Sequence, residues 1–141
     1  MVFRYKHPQA IIIIGASRNQ FKYGNRALRA YRDSGTEVLP VNPKAGAVED
    51  VKAFAAVADL PKGKTTVATI YTPPHVTEKI LPALAKYGVK LIFFNPGAET
   101  DALVDQARQL KMEPLLACSV RAIGKDPEDY APPAGYTPPS E

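Results

Sequence analysis

The sequence is poor in the residues that staple, ligate or anchor a chain. Its 141 residues include one cysteine, two histidines and no tryptophan. A lone Cys118 cannot close an internal disulfide, so the fold must rest on its core, and a reducing cytoplasm is the expected setting. One cysteine with His7 and His75 far apart offers no zinc-type ligand spacing, and no metal site is expected. The purely apolar runs, such as Ala10–Ile14 and Ala53–Ala58, reach only five and six residues, too short to span a bilayer, so no membrane partner is expected. The opening MVFRYKHPQ lacks the apolar stretch of a secretory signal. There is also no helix-turn-helix pattern and no basic stripe interleaved with aromatics, which argues against nucleic acid as a partner.

What remains is the material of a soluble globular domain, with 45% hydrophobic and 23% charged residues in a chain long enough to bury a proper core. The net charge of +4 is unevenly spread. Residues 1–44 hold eight Lys or Arg against Asp33 and Glu37, whereas the last sixteen residues hold four acids and no base. A basic first third suits a phosphorylated small molecule.

Apolar periodicity alternates between strand and helix along the chain. Ala10–Ile14 is a β-branched run of the kind found in strands buried on both faces. Gly24–Ser34 reads as a helix closed by Gly35, and Glu37–Val41 as a second strand stopped by Asn42-Pro43. A short edge strand over Val51–Phe54 and a helical turn over Ala55–Leu60 are expected next. Thr66–Tyr71 is a third core strand. The helix His75–Tyr87 places Val76, Ile80, Leu84 and Tyr87 on one face, with Pro82 expected to kink it. Val89–Phe94 is a strand, Glu99–Lys111 a helix facing inward through Leu103, Ala107 and Leu110, and Glu113–Ala117 a last strand. Strands joined by single helices predict an α/β fold, a single-domain doubly wound parallel sheet over residues 1–125. The remainder, 126–141, holds five prolines and four acids. It is expected to lie extended along the surface or to be disordered, or to be an arm that packs on a second copy in a homodimer, with a fold back over the basic groove as an unsupported further alternative.

In such a sheet ligands lie beyond the carboxyl ends of the strands. Those ends are Gly15-Ala16-Ser17, Asn42-Pro43-Lys44, Thr72-Pro73-Pro74, Asn95-Pro96-Gly97 and Cys118-Ser119. Gly15 lets the backbone turn sharply under a ligand, and the following helix turns its unpaired N–H groups toward the same place. Arg18, Lys22 and Arg26 add positive charge, Ser17 a hydroxyl, and Asn25 an amide able to bond a phosphate or cap the helix. A phosphate-bearing nucleotide is therefore the expected ligand.

The dinucleotide fingerprint Gly-x-Gly-x-x-Gly would need glycine at 17 and 20, where this chain has Ser17 and Gln20. A site for NAD also places a carboxylate at the end of the second strand, and this chain has Lys44 there. The substitution favours a ligand with a phosphate near its ribose, as in NADP or coenzyme A. His75 stands beside Pro74 at the rim with no carboxylate to orient it as a base, and no catalytic set is evident. Cys118 is a candidate for thiol exchange with a ligand thiol, or a small buried hydrophobe.

The stretch GASRNQFKYGNRALRAYRDSGTEVLPVNPK, followed in order by VKAFAAVADLP, IYTPP, LIFFNPGAE and LLACSV, resembles the stand-alone CoA-binding domains. These are similar to the N-terminal domain of the succinyl-CoA synthetase alpha subunit. The resemblance covers Ala10 to about Val120. It implies a Rossmann-like fold that holds coenzyme A or an acyl-CoA along the rim. Phosphates would lie on Gly15–Asn25, the adenosine end at Asn42–Lys44 and the groove wall at Thr72–Pro74, with Asn95–Gly97 toward the pantetheine. In the synthetase this domain only holds CoA, and the phosphorylated histidine belongs to a following domain. Two rivals stay open, an NADP-binding oxidoreductase-type protein and an interaction module that has lost its nucleotide.

Overall fold

The computed structural model describes residues 7–141; the first six, including Arg4 and Lys6, lie outside the described residues. The order of the architecture follows from one strand. Strand β1, Ala10–Ile14, is buried along its whole length. Ile11 and Ile13 face one core layer, and Ile12 and Ile14 the other. Each of these side chains contributes on the order of 1.5–3 kcal/mol through burial, which only a central strand can collect on both faces. On its two sides β1 pairs in parallel with β2, Glu37–Val41, and with β5, Val67–Ile70. Beyond β5 follow β6, Leu91–Phe94, and β7, Glu113–Leu116, again parallel. The five-stranded order is β2-β1-β5-β6-β7.

Helix α1, Tyr23–Asp33, covers one face of this sheet through Leu28 and Tyr31. Helices α2, Pro74–Tyr87, and α3, Asp101–Gln109, cover the other through Leu81, Leu84, Leu103 and Ala107. The sheet is thus doubly wound, and the direction of winding reverses between β1 and β5, the place where such sheets hold ligands.

Two parts of the expectation need correction, residues 51–60 and the two later helices. Of the expected edge strand, Phe54 pairs with the main sheet, through a single parallel bridge to Val41. It donates to the Pro40 carbonyl and accepts from the Asn42 amide, both at 2.9 Å. Residues before it instead form an antiparallel hairpin, with β3 at Ala47–Val48 and β4 at Val51–Lys52. The expected helical turn is a short 3-10 turn, Val57–Asp59.

Helix α2 is rotated from the expected face. Its buried residues are Thr77, Leu81 and Leu84, with Val76 and Ile80 half-buried. The Thr77 hydroxyl bonds Thr72 Oγ1 at 2.7 Å and the Pro73 carbonyl at 3.1 Å, which turns that residue inward at the helix start. Pro82 sits on the exposed side. Helix α3 is shorter than expected, because Thr100 caps it by accepting from the Leu103 amide at 3.1 Å and Lys111 (φ 66) lies in left-handed backbone beyond its end.

The tail takes the surface-lying alternative. Residues 126–141 lie against α1 and the loop before it, with a 3-10 turn at Pro127–Tyr130. Asp126 caps that turn by accepting from the Glu128 amide. Arg29 donates to the Tyr130 carbonyl, and the buried Arg26 donates to the Pro127 carbonyl at 3.3 Å. Composition alone points to disorder, but two arginines on one helix face supply donors that a proline-rich, carbonyl-rich segment can satisfy.

Candidate functional site

The rim is shaped first by two glycines. Gly15 turns out of β1 with φ +82, and a Cβ there would stand 3.0 Å from the Tyr71 carbonyl carbon and oxygen and from Thr72 Cγ2. Gly24, in the first turn of α1, packs so closely that a Cβ would meet the Gly15 carbonyl oxygen at 2.6 Å. The helix start is thereby drawn down onto the end of β1. Lys22 is its N-cap and no side chain caps its first-turn amides. The positive end of α1 is thus aimed at the rim without a carboxylate of its own first turn.

Over this turn lie two cavities that share Gly15, Lys22, Tyr71 and Thr72. The first, about 760 Å³, runs past Ser17 and Arg18 to Asn42, Pro43 and Lys44. Its cations are Arg18, Lys22, Lys44 and Lys79, and its one acid is Glu141 of the tail. The second, about 750 Å³, runs to Asn95, Pro96 and Gly97. Its lining includes Ile70, Phe21, Val120 and the half-buried Cys118, with Lys22, Arg121 and Glu128 as its charged residues. Both volumes lie within the range of small-molecule sites.

Most of the residues singled out in the sequence converge here, but they do different work. Ala16 and Ser17 are buried, and the Ser17 hydroxyl donates to Glu141 Oε1 at 2.6 Å. The Arg18 amide donates to the same oxygen at 3.0 Å, and Lys22 Nζ stands 3.3 Å from Oε2. Asn42 ties two loops together, donating to the Ala16 carbonyl at 2.8 Å and accepting from the Lys44 amide at 2.8 Å. Thr72 and Pro73 form wall, while Pro74 opens α2 and lines neither cavity. His75 is exposed and outside both.

Asn25 is fully buried and also lines neither cavity. It does not cap α1: its amide donates to the Ser17 carbonyl at 2.8 Å and its oxygen accepts from Arg29 Nε at 2.7 Å. It shapes the loop from behind. Asn95 is likewise structural in its bonding. Its Nδ2 donates to Thr69 Oγ1 at 2.6 Å and to the Ile70 carbonyl at 2.9 Å. Its Oδ1 accepts from the Ser119 amide at 2.9 Å and the Tyr71 hydroxyl at 3.1 Å. Ser119 Oγ in turn accepts from Thr69 Oγ1 at 2.9 Å and lies 3.0 Å from the Tyr71 hydroxyl. Burial pushes the Tyr71 hydroxyl far above the ordinary tyrosine range, which keeps it a neutral donor.

Several contributors were not visible in the sequence. Tyr71, Thr69 and Ser119 read as strand ends, yet together they lock three loops. Lys79 adds a cation from the α2 surface one turn into the helix. Glu49 stands at the tip of the β3–β4 hairpin, where it and Asp50 both have left-handed backbone (φ 50 and 63). It accepts from Gln20 Nε2 at 3.2 Å and Asn25 Nδ2 at 3.2 Å, holding the rim loop from the side. A two-residue turn with positive φ at both positions is normally signalled by Asn-Gly, so Glu49-Asp50 carried no cue.

The profile of the CoA binding domain family matches residues 9–122. Among curated proteins, the ADP-forming acetate–CoA ligase of Methanocaldococcus jannaschii is 31% identical over 84 residues, 60% of this chain and 12% of the ligase. Subunit alpha of an ADP-forming acetate–CoA ligase II from Pyrococcus furiosus is 31% identical over 91 residues, 64% of this chain and 20% of the subunit. The chain therefore matches only a small part of either protein's length. A solved structure of a conserved hypothetical protein from Pyrococcus furiosus superposes with a TM-score of 0.72 at 31% identity, covering 81% of this chain and 97% of that one.

Proposed function

From a chain that belongs to the CoA binding domain family, we propose a protein that binds coenzyme A or an acyl-CoA in the rim groove. The observation that carries this reading is the uneven charge of the groove. Four cations, Arg18, Lys22, Lys44 and Lys79, face the single acid Glu141 at one end, whereas the other end, with Arg121, Glu128 and the shared Lys22, carries the thiol of Cys118. Coenzyme A has the matching asymmetry, a phosphorylated nucleotide at one end and a long uncharged thiol arm at the other. The fit of the phosphate end has a stand-in: the Glu141 carboxylate takes a hydroxyl, a backbone N–H and an ammonium on Ser17, Arg18 and Lys22. The same donor set suits phosphate oxygens.

In this reading Gly15–Lys22 receives the diphosphate, aided by the uncapped start of α1. Lys44, with Asn42 and Pro43 shaping its loop, receives the phosphate near the ribose. Thr72 and Pro73 line the middle, and Asn95–Gly97 and Cys118 surround the thiol arm. Residues 1–125 form the binding unit and 126–141 its acidic tail. Among the described residues no helix is long and apolar enough to cross a membrane, and we place the protein in the cytoplasm on its free thiol. The ligand is a small-molecule nucleotide.

Calorimetric titration of the purified protein with CoA, dephospho-CoA and NADP tests this. CoA is expected to bind, with loss of its 3′-phosphate and Lys44→Ala each weakening it by about three- to tenfold, the range of a partly exposed charge contact. Binding of NADP alone would assign an oxidoreductase-type ligand instead. Binding of none would leave an interaction module.

A further inference from the structure

The acidic tail is the part of the molecule that this ligand reading leaves unused. It touches the rim at two separate stations. At the first, Pro127–Tyr130 is fixed to α1. Arg26, itself 7% exposed, donates to the Pro127 carbonyl and stands 3.4 Å from Glu128, with its guanidinium 4.6 Å over the Tyr23 ring. The Tyr130 hydroxyl donates to Asp33 at 3.2 Å. At the second station the chain returns over the phosphate loop. The Tyr136 hydroxyl accepts from the Gln20 amide at 3.1 Å and donates to the Arg18 carbonyl at 3.3 Å, and its ring meets Phe21 edge-on at 5.7 Å. Glu141 then puts its carboxylate on Ser17 Oγ, the Arg18 N–H and Lys22 Nζ. Between the stations lie Pro132-Pro133 and Gly135, whose φ is +83.

The two stations differ in how firmly they hold. The first buries the Arg26 guanidinium, whose Nη1 donates to the Pro127 carbonyl and the Glu128 carboxylate, and removing them would leave a buried charge with only the Gln20 carbonyl on its Nε. The second is a surface contact of one hydroxyl and one carboxylate, of the strength that a competing anion can exceed. A diphosphate offers more charge and more acceptor oxygens to the same three donors than a single carboxylate does. The donors cannot serve both at once, because Ser17 has one hydroxyl hydrogen and Arg18 one amide hydrogen.

We propose that residues 136–141 are a built-in competitor for the phosphate loop, with the Glu141 carboxylate as the group that a bound phosphate must displace while Pro127–Tyr130 stays in place. Binding in the groove and release of the tail are then two sides of one equilibrium. Whatever stabilises the closed tail lowers apparent affinity by the fraction of time the loop is free. The proposal rests on the phosphate reading of the groove, but not on the ligand being CoA.

The test compares the 141-residue wild type with Glu141→Gln, which keeps size and removes charge. Affinities for CoA and for inorganic pyrophosphate are measured by calorimetry, and the backbone mobility of residues 126–141 by 15N relaxation. Both ligands are expected to bind Glu141→Gln about tenfold more tightly, the factor for a tail closed about nine-tenths of the time. In wild type, saturation with either ligand should mobilise residues 136–141 and leave 127–130 ordered. Equal affinities of the two proteins, or an unmoved tail at saturation, would overturn the proposal. Failure of CoA alone, with pyrophosphate still showing the tenfold gain and tail release, would remove the CoA reading and support the competitor. Failure of both ligands on both proteins would remove both.

Discussion

The two ends of the groove are built by opposite means. At the Asn95 end, the side chain that stands on the rim is turned down into the molecule and spends its bonds on Thr69, Ile70, Tyr71 and Ser119. The loops after β5, β6 and β7 are thereby tied to one another within a buried polar network. At the Ser17 end, the donors point outward and are met by a tail separated from them by more than 120 residues of chain. One end is shaped by the core and does not need an occupant. The other presents its bonding capacity to whatever anion sits there. A groove of this kind fixes the position of the uncharged part of a ligand by shape and leaves the charged part to exchange.

That contrast can be broken most severely at Asn95. Asn95→Ala leaves buried polar groups of Thr69, Ile70, Tyr71 and Ser119 short of a partner and is expected to cost about 2–4 kcal/mol of unfolding free energy. Urea denaturation measures it, and a loss comparable to that of a surface substitution would show that the network is not structural. Gly24→Ala tests the close approach of α1 to β1. Alanine favours an isolated helix by about 1 kcal/mol, yet the added methyl meets a backbone oxygen at 2.6 Å. A net destabilisation of about 1–3 kcal/mol is expected, and stabilisation would mean that the helix start can lift away.

Tyr71→Phe is the milder probe of the same end. It deletes one hydroxyl while Ser119 continues to serve Asn95, and about 1 kcal/mol is expected from the same denaturation experiment. The smallest effect belongs to pH at the Ser17 end. The hydrogen bond from Ser17 holds the Glu141 carboxyl below its ordinary range, helped by Lys22 and the Arg18 amide and opposed by partial burial. A depressed carboxylate stabilises the closed tail above its ordinary pKa, and that contribution is lost as pH falls through the depressed value. The charged group facing it is Lys22. Exchange protection of the Arg18 amide is therefore expected to fall on acidification, and protection that is flat with pH would mean the carboxylate does not hold the tail.

The fold was legible in the sequence because its signals are local. A β-branched run such as Ala10–Ile14 needs cover on both faces, and strands alternating with single helices leave few topologies besides a parallel doubly wound sheet. The rim was legible for the same reason: once strand ends are placed, Gly15–Lys22, Asn42–Lys44, Thr72–Pro73 and Asn95–Gly97 must share an edge. What each residue does there was less legible. Asn25 and Asn95 have the polarity expected of ligand contacts, but both spend it on neighbouring backbone and side chains. The face of α2 was read in part: Leu84 is buried and Ile80 and Tyr87 pack against the core as expected, but the bonds of Thr77 to Thr72 and Pro73 turn the helix so that Thr77 and Leu81 are buried as well. Which of its alternatives the tail adopts was not legible, because its partners lie about a hundred residues or more away and leave no trace in local periodicity.

The solitary thiol has a practical consequence. Cys118 is the chain's one cysteine and lies half-buried in the wall of the second cavity. A maleimide dye or a nitroxide would therefore attach at a single place without any engineering of the protein. Its rate of attachment reads out whether the groove is filled, and its emission or spectrum afterwards reports on the same few ångströms from inside.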